Sequence, residues 1–222
     1  GANAGLAVDA TGTVYCGLSG ANGFSRTTTD GKNLSPNLGK GNTAGATLPA
    51  IDAEGNIYVA FSEGVIASYS SNGNENWNYS TGCTISQGGP VIDQSGNVYV
   101  GTKAPNPQVI SLTKNGAKRW IYTAQNDISG VPALDSKGRL HVCDEAGYYI
   151  VLDSETGKEL YKTQLGTKIW SSPVISDYGI IFIAFEDNGV CKLTAIDCGI
   201  DGPAKSVWPQ RGQNAKRNGL QK

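Results

Sequence analysis

Leu48–Ala60 reads LPAIDAEGNIYVA: a short apolar strand opened by Pro49, a turn closed by Gly55, and a second strand of β-branched and aromatic residues. The same arrangement returns as LAVDATGTVYCG from Leu6, GPVIDQSGNVYVG from Gly89, VPALDSKGRLHVC from Val131 and SPVISDYGIIFIA from Ser172. Working outward, the turn glycines Gly12, Gly55, Gly96, Gly138 and Gly179 recur at about 41–43 residues, the length of a propeller blade. A second series, Gly31, Gly73, Gly116, Gly157 and Gly199, runs in step with the first, in DGK, NGN, NGA, TGK and CGI. Asp/Asn-Gly pairs of this kind make tight hairpins, where φ must be positive.

Each unit therefore reads strand, turn, strand, loop, strand, turn, strand. Inner strands such as PAID and PVID are nearly all apolar, with small residues (Ala50, Gly89, Ala133) suited to a crowded axis. Their leading prolines, Pro49, Pro90, Pro132 and Pro173, stand where a missing N–H costs no ladder bond. One such sheet cannot bury both faces alone, and packing sheet on sheet does so. The expected fold is all-β: a β-propeller of about five four-stranded antiparallel blades. It would form one domain over 1–222, with blades near 5–47, 48–87, 88–129, 130–171 and 172–219.

Composition agrees with turns rather than helices. Gly occurs 30 times and charged residues make up 17%. A net charge of −1 gives no field to recruit nucleic acid, and no apolar run approaches the roughly 18 residues that span a bilayer. Without an initiator Met or a signal-peptide pattern, the chain reads as a trimmed or mature segment. Its five cysteines form no CxxC or CxxCH, so a zinc ribbon or covalent haem is not expected. Cys16 and Cys143 occupy equivalent strand positions and read as small buried hydrophobes. Cys191 and Cys198 would stand about 23 Å apart on one extended strand, too far for a disulfide.

The units resemble PQQ-like (pyrroloquinoline-quinone-like) repeats. The likeness rests on the PAID-x-x-G-x-(I/V)-Y-V-G strands and on Tyr149–Lys158, YIVLDSETGK. Trp77 and Trp120 fall at the blade-docking tryptophan, with Tyr161 standing in for it in the fourth unit, and the first unit lacks that aromatic. The tail from Val207, VWPQRGQNAKRNG, is similar to a closing stretch common in exported bacterial members, and Trp208-Pro209 should pack on the last blade or strap the ring. The resemblance implies an exported protein, periplasmic or at the cell surface. Quinoprotein dehydrogenases of the family carry eight blades, adjacent cysteines and a calcium site, none of which is evident here. The expectation is a non-catalytic member with no cofactor and no metal, monomeric, binding an unidentified protein partner. A carbohydrate-binding propeller is the alternative, and a degenerate quinone-dependent oxidoreductase comes third.

Asp9, Asp52, Asp93 and Asp135 each precede a turn glycine by three. They lack the further ligands of a calcium loop, and turn capping explains them better. His141, the single histidine, takes the slot of Tyr15, Tyr58, Tyr99 and Phe182 and reads as packing. No GxSxG accompanies it. Propellers bind through loops, so the candidate face is Asn42, Gln87, Asn126, Asp127, Lys168 and Trp170 on the connections into the inner strands. Lys40 lies on the same connections. Glu145 and Asp187 join from the loops after the second strands. The basic tail of Lys205, Arg211, Lys216, Arg217 and Lys222 reads as solvated surface.

Overall fold

The computed structural model of the chain describes residues 5–214 apart from 19, 21, 40, 45 and 46. Lys40 and the tail residues Lys216, Arg217 and Lys222 lie outside the described residues. Five antiparallel sheets follow one another along the chain. The first holds β1 (Leu6–Val8), β2 (Val14–Gly17), β3 (Phe24–Thr27) and β4 (Asn33–Leu38). The second holds β5 (Ala50–Ile51), β6 (Ile57–Ala60), β7 (Val65–Tyr69) and β8 (Glu75–Ser80). The third comprises β9 (Val91–Ile92), β10 (Val98–Gly101), β11 (Gln108–Leu112) and β12 (Lys118–Thr123). The fourth comprises β13 (Ala133–Leu134), β14 (Arg139–Cys143), β15 (Tyr148–Asp153) and β16 (Glu159–Gln164). The fifth departs from the expected blade: β17 (Val174–Ile175), β18 (Ile180–Asp187) and β19 (Val190–Asp197) make a three-stranded sheet. Where a fourth strand would start, the chain turns away at Gly199 toward the inner strands.

The aspartates cap turns. Asp52 Oδ1 accepts the N–H groups of Glu54 and Asn56, and its Oδ2 accepts the Tyr58 hydroxyl at 2.8 Å. Asp9 and Asp93 repeat this with Tyr15 and Tyr99. One carboxylate thus closes the turn and satisfies a phenol buried in the neighbouring wedge, where an unpaired hydroxyl would cost about 1–3 kcal/mol. In the fourth sheet His141 replaces the tyrosine. Fully buried, it bridges Asp135 Oδ2 (3.0 Å) and the Tyr149 hydroxyl (2.7 Å).

Docking between blades follows one register row. Tyr58, Ser68 and Trp77 lie side by side across the second sheet, as do Tyr99, Ser111 and Trp120 across the third. Each indole reaches the next blade. Trp77 Nε1 donates to the Lys114 carbonyl at 2.8 Å and Trp120 Nε1 to that of Ser154 at 2.9 Å. Each ring lies so flat on a turn that a Cβ at Gly116 or Gly157 would come within 2.7 or 2.6 Å of it. The first blade, which lacks the aromatic, docks by another means. Arg26, buried on β3, lays its guanidinium on Gly73 and donates Nη1–H to the Ser71 carbonyl at 2.7 Å. In the fourth blade Tyr161 holds the register but not the role. It is 54% exposed, and the space where Gly199 would carry a Cβ is open. The phenol is shorter than an indole, and Val151 takes the place of the small serine in its row.

Shared apolar clusters join the first blade through to the third, the third to the fourth, and the fourth to the fifth. Among the described residues no hydrogen bond or apolar cluster joins β1–β4 to β17–β19. Phe182, in the slot of the fully buried Tyr15, Tyr58 and Tyr99, is 38% exposed. The outer face of the fifth sheet is thus largely exposed, with Leu193 exposed as well. Cys16, on the outer face of the first sheet, is only half-buried, whereas Cys143 is buried as expected.

The tail corrects one expectation. Up to Gln210 it adds no outer strand to the last blade. It runs along the free inner edges of three blades. Ala204 N–H donates to Leu134, Ile92 N–H to Trp208, and Leu134 N–H to Pro209. The Gln210 side chain then both accepts from and donates to the Ile175 backbone. Inner edges leave backbone groups unpaired, and buried backbone groups must find partners. Trp208, 1% exposed, seats the strap in the core of the first three blades.

Candidate functional site

The loops after the second strands stitch onto the connections from the preceding blade in one repeated bond. Ser62 N–H donates to Thr43, Lys103 to Thr84, Glu145 to Asp127 and Glu186 to Lys168, all at 2.8–2.9 Å. This equivalence places both loop sets at one end of the blades, as the repeat order requires. The residue pairs at the four seams differ, Ser–Thr, Lys–Thr, Glu–Asp and Glu–Lys in order, so the chemistry of the face varies from seam to seam.

At the seams of the third to fifth blades the side chains converge. Lys103 Nζ lies 2.7 Å from Glu145 Oε1 and 3.6 Å from Asp127 Oδ2, and the Ser129 hydroxyl donates to the same Glu145 oxygen. Lys103 is held above its ordinary pKa, first by its bond to Glu145, with partial burial opposing. Burial alone would raise the Glu145 carboxyl. The bonds from Lys103 and Ser129, with lesser help from the Lys103 charge and from Trp170, outweigh it and hold the carboxyl below its ordinary range. The pair is therefore ionised at neutral pH and only partly screened, since both side chains are about three-quarters buried.

Trp170 stands beside this pair, 50% exposed. Lys168 Nζ lies 5.3 Å from its ring centre and 3.8 Å from Glu186. A hollow of about 210 Å³ opens next to the indole, lined by Lys168, Ala184, Phe185, Cys191 and Lys192. Asn126 donates to Asp144 at 3.2 Å, bracing the loop that carries Glu145.

The structure thus joins five expected residues, Asn126, Asp127, Glu145, Lys168 and Trp170. Asn42 instead serves a turn in the first blade, bonded to Gly39. Gln87 is exposed at φ +54° and joins none of these bonds. Asp187 pairs with Lys192 at 2.6 Å at the tip of the β18–β19 hairpin. Sequence reading missed Lys103, Ser129 and Glu186. Lys103 and Glu186 hold the loop position of Glu145 in the third and fifth blades, where each N–H makes the same bond to the preceding connection. Among the described residues no group of three or more His, Cys, Asp or Glu is placed to hold a metal ion, and no helix is long and apolar enough to cross a membrane.

Residues 105–208 match the family described as outer membrane protein assembly factor BamB. No curated protein matches the chain in sequence. Among solved structures, BamB from Moraxella catarrhalis superposes with a TM-score of 0.65 at 16% identity, over 88% of this chain and 57% of that one. The chain thus spans a little over half the length of that BamB. A protein of unknown function from Bacteroides caccae gives 0.62 at 18% identity, over 94% and 81% of the two chains. A catalytically inactive virginiamycin B lyase from Staphylococcus aureus, solved with quinupristin, gives 0.66 at 18% identity, over 88% and 70%.

This last likeness corrects the expectation that the chain is not an enzyme. A lyase matches these blades as well as BamB does, so a propeller without a recognisable catalytic motif does not exclude activity. Phase-locked repeats, sequential antiparallel sheets and propeller neighbours agree: the chain folds as a β-propeller, and its residues 105–208 match a PQQ-like family model.

Proposed function

We propose that the chain is a binding module of an exported protein that presents its loop face, around Trp170, to a protein partner. The single observation that carries this is an indole left half exposed in a molecule that otherwise uses its tryptophans to dock blades or seat the strap. Tryptophan is among the residues most enriched at the energetic centres of protein interfaces, with polar groups at their rims. Lys168 and Glu145, the latter paired with Lys103, stand against Trp170. Export and a scaffold role in envelope assembly come from the likeness to BamB.

A photo-crosslinking amino acid at position 170, set against one at Tyr178 on a turn at the opposite end, tests the proposal in envelope extracts. One protein should crosslink from position 170 alone. Its purified form should bind the native chain at least tenfold more tightly than Trp170→Ala. Equal crosslinking from both positions would refute the proposal. Saturable binding to a glycan array, abolished by Trp170→Ala, would replace it with the carbohydrate-binding alternative.

A further inference from the structure

Four seams separate the five blades, and three are closed by a side chain lying on a turn glycine. Arg26 covers Gly73, Trp77 covers Gly116 and Trp120 covers Gly157. At the fourth seam nothing lies within 4 Å of the equivalent position on Gly199. In place of an indole there is a cleft of about 580 Å³ between the fourth and fifth blades. Val151, Leu165 and Ile196 form its apolar walls, and Leu160 and Tyr161 stand half exposed at its rim. Arg139, reaching the Cys198 carbonyl at 3.3 Å, and the Tyr149 hydroxyl edge its floor.

We infer that this seam is a docking cleft for a tryptophan side chain presented by a protein partner. The chain itself describes the occupant. Where the row supplies an indole, the ring stacks on the turn glycine and its N–H meets a carbonyl of the next blade. The fourth seam keeps apolar walls but supplies only Tyr161, whose ring centre lies 6.3 Å from that of Tyr149, and the carbonyl of Cys198, equivalent to that of Ser154, accepts from Arg139 instead of an indole. An incoming indole would enter between the apolar walls of Val151, Leu165 and Ile196, cover the exposed flanks of Leu160 and Tyr161, and bring its face toward the Arg139 guanidinium. The cleft lies between blade flanks, apart from the loop face, and does not depend on the function proposed for Trp170.

The test uses the full chain with two probes, N-acetyl-tryptophanamide and a Gly-Gly-Trp-Gly-Gly peptide, followed by saturation-transfer NMR and calorimetry. Both should bind saturably. Tyr161→Trp, which supplies the missing indole in cis, should melt at a higher temperature and bind both probes at least tenfold more weakly. Leu160→Glu at the half-exposed rim should weaken binding similarly without entering the core, which keeps the test decisive if Tyr161→Trp folds poorly. Tyr178→Ala should bind like the native chain. Absence of saturable binding, equal binding by Tyr161→Trp and Leu160→Glu, or binding of the amide without the peptide would each overturn the inference.

Discussion

Arg26 donates its Nη1–H to the carbonyl of Ser71 across the first seam at 2.7 Å, the bond that Trp77 and Trp120 make through indole N–H at the next two seams. A guanidinium can replace an indole because both are planar, stack on a glycine and carry an in-plane donor. Arg26 Nε also donates to Pro36, which ties the irregular outer strand of the first blade to the same cation.

Arg26→Ala should therefore destabilise the chain by about 1.5–3 kcal/mol, since it removes two charge-assisted bonds and the buried side chain that fills the seam. Arg26→Lys should recover little of this, because an ammonium cannot stack or fork. Denaturant unfolding with an unchanged m-value would measure the difference. A lysine variant as stable as the native chain would show that charge alone matters here.

Trp120→Ala should cost about 3 kcal/mol, at the lower end for a buried tryptophan because its edge meets solvent. Gly157→Ala should destabilise for two separate reasons. Its φ is +73°, and the new Cβ would stand 2.6 Å from the indole. Combining the two changes should cost less than their sum, since removing the ring removes the clash. A thermal double-mutant cycle reads that coupling directly.

Acid should weaken the fourth blade through Asp135. Burial would raise this carboxyl, but bonds from His141 and from the backbone and side chain of Arg139 bring it down to about 2. A folded pKa below the unfolded value contributes stability that is present above about pH 4 and lost as pH falls toward 2, amounting to about 2 kcal/mol. Asp135→Asn should be less stable at neutral pH and should show a flatter stability curve between pH 4 and 2. A mutant with the native slope in that window would assign the acid sensitivity elsewhere.

The strap should protect specific amides. Gln210→Leu removes both partners that its side chain offers to the Ile175 backbone and should cost about 1–3 kcal/mol. Native-state hydrogen exchange should quicken at Ile175 more than at Ile92, whose amide bonds the Trp208 backbone instead. Trp208→Ala should quicken exchange at Ile92, Leu134 and Ile175 together by releasing the whole strap.

Much of this architecture is local and was readable in the chain. The Asp-x-x-Gly-x-x-Tyr unit contains its own turn cap, its positive-φ glycine and the phenol that the cap satisfies, all within seven residues. The loop residues Asn126, Asp127, Glu145, Lys168 and Trp170 were legible as one face because strand order alone carries alternate loops to one end. Their ion pairs were not, since Lys103 and Glu145 lie 42 residues apart and meet only once neighbouring blades pack. The replacement of indole by Arg26 escaped notice for a related reason: the cation comes from the third strand of its blade and the tryptophans from the fourth, so no alignment of repeats puts them in one column.

The sequence by itself determined the repeat, the strand order and the turns, because hydrophobic alternation and Gly/Asp chemistry act over a few residues. Only the tertiary structure decided which seams close and where the tail runs. Those outcomes turn on whether one side chain reaches the next blade. Tyr161 and Trp120 occupy the same register, yet one seals its seam and the other leaves a cleft, because the ring length and the bulk of Val151 beside it are felt only when two sheets meet.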